Sequence, residues 1–234
     1  MDGRGRFVCG RTTHTLHFTT NKSTSIIMPI QITTAPSRED LRCRSHWWGA
    51  PDLPAGVPYP YVTVGEGTDD VYDEPLTFVC QIRLADVANL DKDNLLPHEG
   101  MLYIFAPLDY FLGELDSPLN QHVRPVVIYS PQTTDLQPYV LCWEGTDETV
   151  FRPAEAMSFA LDEAPTGDGL RMLGQPYQED VHDLHPHDVC LLQIDEEDRW
   201  GLRFYDCGTY YLFLSPEALK EGRWEEVSAE LFYY

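Results

Sequence analysis

Five sets of residues in this chain have types and spacings that suit chemistry. The densest is His182-Asp183-Leu184-His185-Pro186-His187-Asp188. Zinc accepts imidazole nitrogens and carboxylate oxygens. His185 and His187 would share one face of an extended chain, with His182 folding back. Pro186 marks a turn in an acidic loop, so no native metal is expected, and His182, His185 and His187 stand only as weak candidates. Asp195-Glu196-Glu197-Asp198 offers the oxygen ligands calcium prefers, but lacks the alternating spacing and glycine of a calcium loop. A solvated hairpin turn is expected there. Cys207, between Asp206 and Gly208, is the best-placed nucleophile, yet a buried or half-buried inert thiol is the better expectation. The chain has no Gly-x-Ser-x-Gly element and no glycine-rich phosphate loop.

Two sets remain. Gln81 and Gln193 each end an apolar strand. They suit a pair of amides facing across a groove toward a polar ligand, or amides that each satisfy loop backbone in their own part of the chain. Trp47, Trp48, Asp52, Gln175 and Tyr177 gather around two Gly-x-Pro turns. They form either a ligand platform of the kind loops present or indoles capping the core. With Asp206 added, the candidate ligand-binding residues are Trp48, Asp52, Gln81, Gln175, Tyr177, Gln193 and Asp206. No catalytic residue is assigned and no cofactor is expected.

The elements that must position these residues are written twice. Trp48-Gly49-Ala50-Pro51, Phe78-Val79-Cys80-Gln81-Ile82 and Gly100-Met101-Leu102-Tyr103-Ile104-Phe105 return as Leu173-Gly174-Gln175-Pro176, Leu191-Leu192-Gln193-Ile194 and Gly208-Thr209-Tyr210-Tyr211-Leu212-Phe213. The order is kept but the intervals are not: Gly49 to Gln81 spans 32 residues and Gly174 to Gln193 spans 19. Two related halves, about 37–131 and 155–222, are expected to pack about a pseudo-twofold with a shared groove. Two copies are too few for a solenoid, which needs about three.

The strand and turn signals predict a mainly β fold, α+β with few short helices. Leu76–Ile82, Met101–Ala106, Val123–Tyr129, Val189–Ile194 and Thr209–Leu214 read as strands, and Met101–Ala106, apolar on both sides, as a central one. Weaker strands are expected near Tyr139–Trp143 and Met157–Leu161, and a hairpin or irregular stretch over 55–75. Ser37 with acidic residues after it predicts a short helix. Ser215-Pro216 predicts another, ended by Gly222.

Composition narrows the function classes. The 13 Tyr, 10 Phe and 5 Trp can bury a sizeable core in one domain without metal or disulfide help. The net charge is −22. Residues 28–234 alone hold 12 basic residues against 37 acidic ones, a net −25. Such a chain repels phosphate backbones and anionic membranes, so neither nucleic acid nor membrane is an expected partner; a basic protein partner is permitted. The six cysteines include no Cys-x-x-Cys pair, and two lie in apolar strands, which suits a reducing, cytoplasmic location. Residues 1–27, basic and rich in Thr and Ser without an apolar run, read as a disordered or non-native extension ahead of Met28.

The motifs together resemble the YwqG-like family, a mostly bacterial domain of unknown function. The resemblance rests on Trp48-Gly49-x-Pro51-Asp52-Leu53-Pro54, Phe78-x-x-Gln81-Ile82, Leu96-Pro97-x-x-Gly100-x-Leu102-Tyr103-x-Phe105, Leu173-Gly174-x-Pro176, Leu191-Leu192-Gln193-Ile194 and Asp206-x-Gly208-x-x-Tyr211-x-Phe213. It runs from about Ser37 to the C-terminus and implies a β-roll with internal duplication, without an established activity. Leu170 stands where the family often has a His, and the family's Trp-Gly-Asp-x-Gly run is split here between Trp200-Gly201 and Asp206-Cys207-Gly208.

The function expected is non-catalytic: a binding or interaction protein with its ligand or partner in the inter-repeat groove, of immunity type if the partner is basic. The alternative is an enzyme acting on a small polar substrate, with Asp52, Asp206 and the glutamine pair in its site.

Overall fold

The computed structural model describes residues 27–234. Apart from Ile27, the stretch read as an N-terminal extension lies outside the described residues. The strands are β1 Ile30–Pro36, β2 His46–Trp47, β3 Tyr61–Val64, β4 Tyr72–Pro75, β5 Thr77–Arg83, β6 Met101–Ala106, β7 Val126–Ser130, β8 Glu155–Leu161, β9 Arg171–Met172, β10 Val189–Asp195, β11 Thr209–Leu214 and β12 Ser228–Phe232. Two α-helices, α1 Glu179–Leu184 and α2 Pro216–Glu221, and a few 3-10 turns complete the described elements. The fold is mainly β, as the sequence predicts. No helix among the described residues is long and apolar enough to cross a membrane.

Ten strands form one antiparallel sheet in the order β12-β11-β10-β9-β1-β8-β2-β5-β6-β7, while β3 and β4 pair as a separate hairpin. The order is symmetric about the β1–β8 pair, and the register repeats residue by residue. Ile30 pairs with Met172 and Gln31 with Arg171; likewise Glu155 pairs with Trp47 and Ala156 with His46. Gln81 lies opposite Tyr103 and His46, and Gln193 opposite Tyr211 and Arg171. Even the register shift is duplicated, between Phe78 and Cys80 in β5 and between Cys190 and Leu192 in β10. Thr33, facing Ser158 in the central pair, lies at the pseudo-twofold.

Each half lends its first strand to the other. β1 pairs with β9, and β8 pairs with β2. At the seam the two strands β1 and β8 hydrogen-bond to each other, and a hollow of about 210 Å³ beside them is lined by Ile32, Thr33 and Thr34 of β1 with Gly169, Asp195 and Arg199 of the other half. β8, a weak strand on local sequence, is central because tertiary pairing with β1 holds all seven of its residues in register. The converse holds for β6. It lies next to the edge strand β7, and its six residues are buried because apolar layers cover both faces of the sheet. Leu102 and Ile104 join one layer, and Tyr103 and Phe105 the other.

The predicted turn at Trp48 is sharper than its sequence suggests. Trp48 (φ 53°) and its counterpart Leu173 (φ 55°) both adopt the left-handed conformation, which costs a non-glycine residue on the order of 1 kcal/mol. At Gly49 (φ 77°) an added Cβ would stand 2.6 Å from the Ala154 Cβ, so only glycine fits. Trp47 stacks on Trp200 at 5.4 Å between ring centroids, and Trp48 meets both rings edge-on. The three indoles join residues from both halves in one core.

The sheet curls until the segments ahead of its two edge strands meet. Arg124, before β7, donates to the carbonyls of Glu225 (3.0 Å) and Val227 (3.1 Å), before β12. Helix α2 begins as predicted: the Ser215 hydroxyl accepts from Ala218 N (3.1 Å), and Gly222 ends the helix at φ 70°. The helix predicted after Ser37 is absent. Carboxylates capture the backbone donors it would have needed: Asp40 takes the amide of Arg42 (3.0 Å), and Asp52 that of Cys43 (2.8 Å). The strand expected near Tyr139–Trp143 is reduced to a bridge between Cys142 and Thr149.

Candidate functional site

Gln81 and Asp52 meet, but as a buried brace. The Gln81 carboxamide oxygen accepts from Asp52 N (2.9 Å), while its nitrogen donates to Asp52 Oδ2 (2.6 Å) and to the Arg44 carbonyl (2.9 Å). Tyr103 donates from its hydroxyl to the Asp52 carbonyl (2.7 Å). Both residues are buried. The amide is thus spent on the loop that carries the first Gly-x-Pro turn. Gln193 donates to the carbonyls of Gly167 (2.8 Å) and Gly169 (2.9 Å) in its own half. The sheet does not bring the two glutamines face to face: β9, β1, β8 and β2 lie between their strands, a separation of about 24 Å at the usual strand spacing.

The other predicted residues scatter. Tyr177, which takes the place of Asp52 in the second half, is exposed, and Gln175 is half-buried. Asp206 is exposed on the loop before β11, where its carbonyl accepts from Tyr234 N (3.1 Å). The His182 segment lies at helix α1. His185 stacks on Phe213 at 4.0 Å between centroids, with Nδ1 3.1 Å from Asp188 Oδ2, and His187 is exposed. Among the described residues no three His, Cys, Asp or Glu side chains are placed to hold a metal ion. The acidic run 195–198 holds backbone instead. Asp195 accepts from Gly169 N; Glu196 accepts from Phe204 N (2.8 Å) and Gly208 N (3.1 Å); Glu197 accepts from Arg199 N (3.3 Å). Cys207, expected to be buried or half-buried, is instead exposed as a free thiol, because it lies on the turn ahead of β11 rather than in the strand.

Of the predicted set, Trp48 lines a cavity of about 290 Å³, and Asp52 borders an open neighbouring hollow of about 420 Å³. Four segments wall this cavity: the β3–β4 hairpin with Tyr72 and Glu74, the start of β5 with Thr77 and Phe78, the connector after β6 with Asp109 to Pro118, and the stretch before β8 with Trp143, Phe151 and Arg152. The volume lies at the lower end of small-ligand sites. Thr77 donates from Oγ1 to Asp109 Oδ1 at 2.5 Å, tying two walls together. Arg152 donates to the carbonyls of Trp200 (2.8 Å) and Leu112 (3.3 Å), and its guanidinium lies 5.8 Å from the centre of a Trp48 ring.

The family model for the domain of unknown function DUF1963 matches residues 45–168 and again residues 154–231. The chain belongs to this family. No curated protein matches it. The two DUF1963 matches overlap across β8, the strand that starts the second half while pairing with the first. The cavity lies in the first match and is built largely from segments the second half lacks. The hairpin β3–β4 falls in the longer of the two Gly-to-Gln intervals, and Trp143 to Arg152 fall in the connector between the halves.

In this DUF1963 chain the cavity also holds two of the carboxyls that burial raises, the third being Asp195 in the second half. Burial pushes Asp109 up to about 6, with Glu74 and Glu114 adding to the rise and the Thr77 bond opposing it. Burial raises Glu74 as well. For Arg152 burial acts the other way, lowering its pKa, while Glu114 and Asp109 oppose the change. The repeated glutamines Gln81 and Gln193 each bond loop backbone in their own half; Asp109, Glu74 and Arg152 have no counterpart in a motif. The unequal spacing, 32 residues against 19, marks where the hairpin that carries Glu74 enters, and nothing in the spacing marks Asp109 or Arg152.

Proposed function

We propose that this protein is a non-catalytic binding protein of YwqG-like type, and that its ligand or partner engages the cavity beside the β3–β4 hairpin. The observation that carries this reading is the cavity itself, where aromatic walls enclose carboxyls whose titration is displaced by burial. Convergent apolar surface with a few polar groups is the usual make-up of a ligand site. The net charge of −22 favours a basic partner, as in an immunity-type binder, over nucleic acid or an anionic membrane. A cytoplasmic location belongs to the same reading.

Ser117 lines the cavity and is half-buried. A chemically diverse set of small compounds, screened by thermal shift against the full chain and against Ser117→Trp, tests the proposal. Compounds that stabilise the parent and lose their effect on the blocked variant support a site here. Stabilisation that is the same in both proteins removes it.

The enzymatic alternative has one observation in its favour, the Asp109 carboxyl near 6 beside Glu74, a pairing suited to proton transfer at neutral pH. It would act through these residues, because Asp52 is committed to Cys43 and Gln81. Chemical turnover of a bound compound, abolished by Asp109→Asn while binding persists, would establish it.

A further inference from the structure

We infer that the cavity takes an organic cation: an ammonium or guanidinium group seated against Asp109 and Glu74, with its apolar stem along Trp48, Tyr59, Phe78 and Phe151. The inference rests on the reading of this cavity as a ligand site and names the chemistry of the ligand.

The charges are one-sided. The described lining residues carry four carboxylates, Glu74, Asp109, Glu114 and Asp116, against one cation, Arg152. That cation is already engaged. Its guanidinium holds the carbonyls of Trp200 and Leu112, and its pull on Asp109 is the weakest of the influences there. Glu74 is half-buried on the hairpin, and among the described residues no Lys or Arg pairs with it. A carboxylate withdrawn from water without a counter-charge is costly, and an incoming cation offsets that cost.

The walls suit the rest of such a ligand. Tyr59, Phe78 and Trp48 are all less than 5% exposed and turn into the cavity from the core, while Trp143 stands half-exposed at the rim. Aromatic faces attract cations and cover methylene stems. The Trp48 indole N–H, buried and without an acceptor among the described residues, adds a donor for a carbonyl beside the cationic arm. A free alkylamine and the side chain of a basic protein present the same chemistry.

Calorimetric titration of the full chain at pH 7.5 tests this with n-hexylammonium, hexan-1-ol and hexanoate, which share a stem and differ in charge. Two blocked amino acids, acetyl-lysine N-methylamide and acetyl-arginine N-methylamide, stand for a partner's side chain. Hexylammonium is expected to bind at least about tenfold more tightly than hexanol. Asp109→Asn should remove that advantage and leave hexanol unchanged, with Glu74→Gln as a second variant. Affinity equal for alcohol and ammonium, or ammonium binding indifferent to both substitutions, overturns the cation while the cavity remains a ligand site. Failure of every probe, or binding unchanged in Ser117→Trp, overturns the site itself. Blocked amino acids that match hexylammonium identify a basic partner's side chain; their exclusion identifies a free amine.

Discussion

Tyr103 and Tyr211 occupy equivalent places in the two halves, each facing its glutamine across the strand pair, yet only the Tyr103 hydroxyl is bonded. It donates to the Asp52 carbonyl at 2.7 Å, whereas the Tyr211 hydroxyl has no hydrogen-bond partner among the described residues. The halves differ at the residue whose backbone carbonyl accepts this bond. Asp52 folds inward over Gln81, and its counterpart Tyr177 points to solvent. Tyr103→Phe should therefore cost about 1 kcal/mol, while Tyr211→Phe should be neutral or stabilising. Denaturant midpoints of the two variants check the contrast.

Asp109→Asn should stabilise the protein at neutral pH. A carboxyl whose folded pKa is about 6 against an ordinary 3.8 binds its proton more tightly when folded, so it penalises the folded state above pH 6. The penalty fades as pH falls through 6 toward 3.8. The gain on substitution, up to about 3 kcal/mol at pH 7.5, should have largely vanished by pH 4, and melting temperatures across that range report it.

The same titration governs ligand capture. Below about pH 6 Asp109 becomes neutral, which removes one of the two carboxylates that seat the cation. Hexylammonium affinity should fall between pH 7.5 and pH 5, and hexanol affinity should not. Titrations at the two pH values measure this directly.

Gly49→Ala should be among the most damaging single-methyl changes, because it combines a left-handed backbone with a contact at 2.6 Å to Ala154. A loss of about 2–3 kcal/mol is expected. Gly56→Ala shares the positive φ but meets no atom within 4 Å, and should cost only about 1 kcal/mol for the backbone term. The pair separates conformational strain from steric overlap.

Arg124→Met should loosen the meeting of the sheet's ends by removing donors to the Glu225 and Val227 carbonyls while keeping the stem. The stability loss should be about 1 kcal/mol. Hydrogen exchange should accelerate in β7 and β12 and stay unchanged in β1 and β8.

The sequence by itself determined the mainly β fold, the duplication and the ends of helix α2. Those features depend on local signals: apolar runs, a Ser-Pro start, a closing glycine, and motifs repeated in order. It could not place β1 and β8 at the centre, because their pairing joins residues more than a hundred positions apart and neither strand has a strong pattern of its own. It singled out Gln81 and Gln193 because they recur, yet recurrence marked what both halves need in order to fold. The cavity was hidden for the opposite reason. Asp109, Glu74 and Arg152 sit in unrepeated segments as ordinary charged residues, and only the tertiary structure decides that they line one cavity, lose water and change their titration. Burial and proximity are properties of chain segments brought together, and no spacing along the chain encodes them.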